Sequence, residues 1–207
     1  ASGDFNQDGL IDIFFTGNQV SNELYLNQGN LKFEKATESA GLESTGTWST
    51  GVATGDVNGD GLLDIYVCQV SGFKELEGQN RLYVNQGDGT FIDLAEFYGV
   101  DFKGLSTHAA FFDYDKDGDL DLYLLNHSVK SPEVFTNSKN RIKPDPLGDK
   151  LYRNKAAQGE RGFEEVTQEA GIYSSILGFG LGVSINDFNE DGWLDIYVAN
   201  DFTENDY

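Results

Sequence analysis

The chain is poor in the residues that ordinarily staple, switch or catalyse. Among 207 residues there are one cysteine, no methionine, two histidines, three prolines, and 14 basic side chains against 35 acidic ones. A single cysteine, Cys68, excludes an internal disulfide framework. No His or Asn pattern accompanies Cys68, so it is read as a small buried filler rather than a nucleophile. His108 and His127 have no partner evident in the sequence that would orient them, and both are read as structural. A formal net charge of −21 would repel nucleic acid and anionic lipid, so neither is expected as a partner. No apolar run reaches the length of a membrane-spanning helix and no secretory leader pattern is seen, so membrane insertion is not expected. The chain does not begin with methionine and is read as a processed or excised piece.

What is abundant is aspartate in one arrangement, written four times. The copies begin at Asp4, Asp56, Asp113 and Asp187 and follow D-x-[DN]-x-D-G-x-[IL]-D. Oxygens at positions 1, 3 and 5 converge if the backbone curls tightly, and the glycine at position 6 permits that curl through positive φ. Position 7 then offers a carbonyl and position 9 a carboxylate, an all-oxygen set suited to Ca²⁺. The candidate ligands are Asp4, Asn6, Asp8, Leu10 (carbonyl) and Asp12; then Asp56, Asn58, Asp60, Leu62 (carbonyl) and Asp64. The third loop supplies Asp113, Asp115, Asp117, Asp119 and Asp121, and the fourth Asp187, Asn189, Asp191, Trp193 (carbonyl) and Asp195. Fourteen of the 35 acids stand at these positions, a crowding that a divalent ion would relieve. An ion-free Asp/Asn/Gly turn is the plainer alternative. Four copies in phase, each with the same Ile or Leu plug at position 8, favour up to four Ca²⁺ instead.

The loops are not EF-hands. Position 12, where an EF-hand needs a bidentate Glu, holds Phe15, Val67, Leu124 and Val198. Each loop instead runs into a short apolar, aromatic and β-branched stretch such as Ile65-Tyr66-Val67, which reads as a strand. A second phrase follows in the first three copies: Leu24-Tyr25-Leu26-Asn27, Leu82-Tyr83-Val84-Asn85 and Leu151-Tyr152-Arg153-Asn154. Next come a phenylalanine strand at Phe33, Phe91 and Phe163 and, eight residues on, Gly41, Gly99 and Gly171. The tails Ala36-Thr37-Glu38-Ser39-Ala40 and Val166-Thr167-Gln168-Glu169-Ala170 read as a single capped helical turn that the glycine ends. Small-residue strands such as Gly51-Val52-Ala53 precede the later loops. The predicted unit is thus a four-stranded antiparallel module repeating every fifty to seventy residues. The fold expected is an all-β β-propeller, its calcium loops between strands one and two, with three to four blades of a larger ring.

The expected segments are a partial blade at 1–46, blades at 47–104 and 105–177, and a partial blade at 178–207. The first blade is expected to lack its inner strand, and Glu204-Asn205-Asp206-Tyr207 to open the fourth LYxN strand. The loop motif followed by LYxNxGxxxF resembles FG-GAP/VCBS repeats, the blades of integrin α-type propellers. The T-x-x-A-G tail looks like that of ASPIC/UnbV-type and cartilage acidic protein-type repeats. The resemblance implies a calcium-binding propeller used outside the cell for adhesion or ligand binding. Integrin-style Phe-Gly and Gly-Ala-Pro phrases are not clear here, so an integrin-like partner is not carried over.

Strand parity puts the calcium loops on one face and the loops between strands two and three on the other. The third blade carries a long insertion there, 126–149, containing Pro132, Pro144 and Pro146. Seven of the 14 basic residues lie between Lys130 and Lys155, which makes that stretch a candidate surface for an anionic partner. A solvated loop is the plainer reading. Trp48, at the entrance to an inner strand, is read as core packing ahead of a sugar-stacking platform. The function expected is a calcium-binding recognition or adhesion module, extracellular, on the cell surface or periplasmic, with a protein or glycan ligand. The remainder of a parent chain or another subunit is expected to complete the ring. Part of a propeller-scaffold polysaccharide lyase or hydrolase, and an architectural spacer, are the alternatives. No acid pair stands out as catalytic, so an enzyme is not expected.

Overall fold

The computed structural model describes residues 1–128, 144–175, 177–201 and 205–207. Among the described residues antiparallel pairing builds three four-stranded sheets and two two-stranded ones. The first contains β1 (Ser2–Gly3), β2 (Asp12–Phe15), β3 (Glu23–Asn27) and β4 (Phe33–Lys35). The second contains β5 (Ser49–Gly55), β6 (Asp64–Gln69), β9 (Arg81–Asn85) and β10 (Phe91–Asp93). Between β6 and β9 stands a small hairpin, β7 (Ser71–Phe73) with β8 (Leu76–Glu77), that the sequence pattern does not announce. The third sheet contains β11 (Ser106–Phe112), β12 (Asp121–Asn126), β13 (Lys150–Asn154) and β14 (Phe163–Glu165). The last pair is β15 (Gly180–Asn186) with β16 (Asp195–Asn200).

Two expectations are corrected. The inner strand of the first sheet is not missing but present as the two-residue β1, paired with Asp12 and Ile13. The helical turns do not use their threonines as caps. Thr37 and Thr167 accept the backbone N–H of Leu24 and Leu151 instead, tying each turn to its LYxN strand. In the second sheet Ala95 stands at that position, and Asp93, two residues earlier, accepts from Leu82 instead. Only there is the turn a full α-helical one, α1 (Ala95–Tyr98), closed by Gly99 at φ 74°.

Side chains alternate along each strand, so a strand between two neighbouring sheets is apolar on both faces. β6 and β12 are buried along their whole length for this reason. Three clusters fill the three gaps between consecutive sheets. Phe5, Phe14 and Leu24 meet Ile65, Val67 and Tyr83. Tyr66, Cys68 and Leu82 meet Leu122, Leu124 and Tyr152. Tyr123, Leu125 and Leu151 meet Ile185, Ile196 and Val198.

The first strands of successive sheets lie against one another. A Cβ added at Gly51 would stand 2.5 Å from the Thr107 carbonyl oxygen, so only glycine permits that approach. A register shift at the start of β5 turns Thr50 toward the third sheet, where its hydroxyl donates to the Ser106 carbonyl at 2.6 Å. Thr107, at the matching shift in β11, donates to Gly180 at 2.8 Å.

Candidate metal centres

Each Asp-rich loop joins the first strand of its sheet to the second, and each curls by visiting left-handed backbone twice. The glycines at position 6 have φ from 84° to 95°, as their sequence position requires. Position 4 is left-handed too, at Gln7, Gly59, Lys116 and Glu190, three of which are not glycine. That strain left no sequence signal. The curl aims three successive N–H groups at two side chains. In the first loop Asp4 accepts from Asp8 and Gly9 at 3.1 and 2.9 Å, and Asp8 accepts from Leu10 at 2.8 Å. Asp56, Asp113 and Asp187 repeat the pattern. Among the described residues, nothing donates to the carbonyls of Leu10, Leu62, Asp119 or Trp193.

The position-9 aspartates brace the structure. Asp12, Asp64 and Asp121 are fully buried. One oxygen of each accepts the N–H of position 2, and the other accepts the N–H of the LYxN asparagine. Each oxygen keeps a second lone pair that could face an ion. Burial pushes the Asp64 carboxyl up to about 6 and that of Asp121 up to about 7.

The third loop differs from the others in its chemistry. Asn6 and Asn58 at position 3 turn an amide N–H onto the position-5 carboxylate, at 3.0 and 2.9 Å. Asp115 holds that position in the third loop and has no hydrogen to give. Asp113, Asp115 and Asp117 each place an oxygen within 4.8 Å of the others. The Oδ1 atoms of Asp115 and Asp119 are buried without a hydrogen-bond partner. Burial pushes both carboxyls upward. The turn after β13 partly closes the loop, with Ala157 N–H donating to Asp119 and Gln158 to Asp117. Clustered and orphaned carboxylate oxygens fit a hard divalent cation.

A family model for the FG-GAP-like repeat matches residues 4–67 and 70–124, taking in the first three Asp-rich loops and running on into β12. The chain belongs to the FG-GAP-like repeat family. Cartilage acidic protein 1 of Mus musculus is similar, 28% identical over 198 residues, and that of Homo sapiens is 26% identical over 197. Each comparison covers 91% of this chain and 26% of the relative, so the chain spans about a quarter of these proteins.

Within this FG-GAP-like framework the LYxN asparagine links neighbouring loops. Asn85 donates from its side chain to the Leu63 carbonyl of its own loop and to the Phe5 carbonyl of the loop before. Asn154 does the same with Leu120 and Val57. The position-8 plugs reach backward as well. Leu63 lies against Gly3 and Leu120 against Gly55, whereas Ile11 is 56% exposed. Leu194 is 42% exposed, and there Phe112 takes the place of the glycine. Lys116 of the third loop sits 3.8 Å from the ring centre of Trp193 in the fourth.

The remaining candidates lie apart from the loops. Cys68 is buried, and burial pushes its thiol up, as a filler requires. His108 bonds only its own backbone neighbourhood, at Ala109. His127 packs edge-on against Phe179, ring centres 4.8 Å apart. Trp48 is partly exposed at the ends of the inner strands, where it lines a cavity rather than a core. Lys130, Lys139, Arg141 and Lys143, the basic part of the long insertion, lie outside the described residues.

Proposed function

We propose that this chain is a calcium-stabilised, non-catalytic recognition or adhesion segment acting outside the cell, its sheets serving as blades of a β-propeller. The observation that carries the calcium reading is the third loop, where Asp115 and Asp119 hold buried oxygens with no partner. A bound Ca²⁺ would supply that partner and neutralise carboxyls that burial now penalises. The Asp and Asn oxygens of the four loops, with the four position-7 carbonyls, would hold the ions. Their role is to fix the strand corners. At free ion about 100 times Kd, each site would add roughly 2.7 kcal/mol to folding stability.

The propeller reading rests on the repeated gaps between sheets. The first sheet leaves Phe15 and Phe33 54% and 39% exposed, on the face whose equivalents, Val67 and Phe91, are buried between sheets. The last leaves Tyr197 45% exposed, whereas Tyr66 and Tyr123 are buried. Each end thus presents half of an interface that occurs three times within the chain. Further blades of a longer chain, or another subunit, would cover both halves.

Calorimetric titration with Ca²⁺ should show four bound ions and a rise in Tm that chelation reverses. Absence of both effects would end the calcium reading. A glycan array in calcium, followed by turnover assays on any hit, separates recognition from catalysis and from a purely architectural role.

A further inference from the structure

At the ends of the inner strands opposite the metal loops lies a 550 Å³ cavity, within the size range of small-molecule sites. Three consecutive sheets build it. Trp48 comes from the entrance to β5, Leu105 from the entrance to β11, and Leu181 from β15, with Phe73 and Lys74 on the β7–β8 hairpin. Its wall is mainly apolar, but the polar groups on it share a character. Thr50 and Thr107 both line the cavity, and both hydroxyl protons are committed to main-chain carbonyls. They can therefore only accept hydrogen bonds from a guest. His127 Nδ1, in the wall shared with a smaller chamber beside Asn126, is buried without a partner.

Among the described residues the one cation on this wall is Lys74, whose ammonium stands 5.3 Å from the centre of the Phe73 ring. Among the described residues it forms no ion pair, although the chain carries −21 and Glu75 and Glu77 lie on the same hairpin. Lys103, beside the smaller chamber, is also without an ion pair among them.

We infer that this cavity binds an acidic sugar, its ring against Trp48 and Phe73, its hydroxyls donating to Thr50 and Thr107, and its carboxylate facing Lys74. A flat ring face suits aromatic walls, a hydroxyl-rich edge suits acceptors whose own protons are spent, and an anion suits an ammonium with no carboxylate partner. A neutral apolar guest would leave the lysine and both threonine oxygens idle. The inference deepens the recognition reading by naming a ligand class, and it does not depend on calcium chemistry.

The test uses the 207-residue chain in calcium buffer, with cellobiouronic acid as probe and cellobiose as its uncharged counterpart. Binding is read by saturation-transfer NMR and by tryptophan fluorescence, with Trp193→Phe as background so that emission reports Trp48. Cellobiouronic acid is expected to bind at about 1 mM or tighter, and more tightly than cellobiose. Trp48→Ala is expected to weaken it about tenfold or more. Lys74→Gln is expected to weaken it about threefold and erase the preference over cellobiose. Because Trp48→Ala could perturb the strand entrance, Trp48→Phe should keep most binding, and Lys74→Gln changes an exposed side chain. No binding of either sugar, equal binding of both by the unaltered chain, or indifference to both Trp48→Ala and Lys74→Gln would each overturn the inference. Calcium titration of the same samples keeps the two readings separate. Calcium without sugar binding removes only this inference, and sugar without calcium binding removes only the metal reading.

Discussion

Asn22 and Asn80 occupy the same place in the repeat, yet only one of them is satisfied. Asn80 donates from its side chain to the Tyr66 hydroxyl and to Ser106, at 3.0 and 2.9 Å. Asn22 Nδ2 is buried with no partner, because Phe14 stands where the other sheets have tyrosine. Phe14→Tyr should therefore raise stability by about 1 kcal/mol, measured as a higher Tm. A lower Tm would mean the hydroxyl finds no room. In the third sheet the same place holds Asp149, buried beneath the hydroxyls of Tyr123 and Tyr207 and the N–H of Asn126. Burial pushes its carboxyl up to about 6 from an ordinary 3.8. A raised carboxyl binds its proton more tightly when folded, so its contribution is full below about 4 and is lost as pH rises through about 6. Asp149→Asn, which copies the other sheets, should gain on the order of 2 kcal/mol at pH 7. That gain should vanish by pH 4 in denaturant titrations at the two values. A gain independent of pH would contradict the assignment.

At the scale of elements, the packing of the inner strands makes one glycine indispensable and another dispensable. Gly51→Val would drive a side chain into the backbone of Thr107 and His108, at a cost of about 1–3 kcal/mol. Gly182, two sheets on, has nothing within 4 Å of an added Cβ and no positive φ, and Gly182→Val should be tolerated. Paired chemical denaturation curves would show whether the two differ. Much of each element was legible beforehand, for a physical reason. Strand alternation, the LYxN phrase and the Asp-rich corner are local, and each recurs often enough to expose its period. What stayed hidden arises between elements. Thr37 reads as a cap until β3 is seen to need an acceptor for Leu24. The β7–β8 hairpin has no echo in the first sheet, so repetition could not reveal it. The cavity beside Trp48 is assembled from three sheets, and no stretch of sequence contains it.

Taken whole, the molecule carries four loops of unequal charge. The third has five aspartates at its ligand positions where the others have three, along with two orphaned oxygens. It should bind Ca²⁺ most tightly. Calorimetry on Asp113→Ala, Asp56→Ala and Asp187→Ala variants should find the greatest loss of affinity and of calcium-dependent Tm in the first. A weaker effect there would reverse the ranking. The sequence showed the four loops and their oxygens because aspartate spacing is itself the signal. It did not show that Asp12, Asp64 and Asp121 also hold the LYxN strands, since that duty depends on Asn27, Asn85 and Asn154 lying far along the chain.

Those asparagines give the row of loops a direction. Asn154 joins its own loop to the one before it, and Asn85 does likewise, so the first and second corners are each clamped by their successor. An ion that stiffens one corner also steadies the clamp on its predecessor. Successive ions should thus arrive with positive cooperativity, and Asn154→Ala should flatten the steepness of the calcium isotherm while every ligand remains in place.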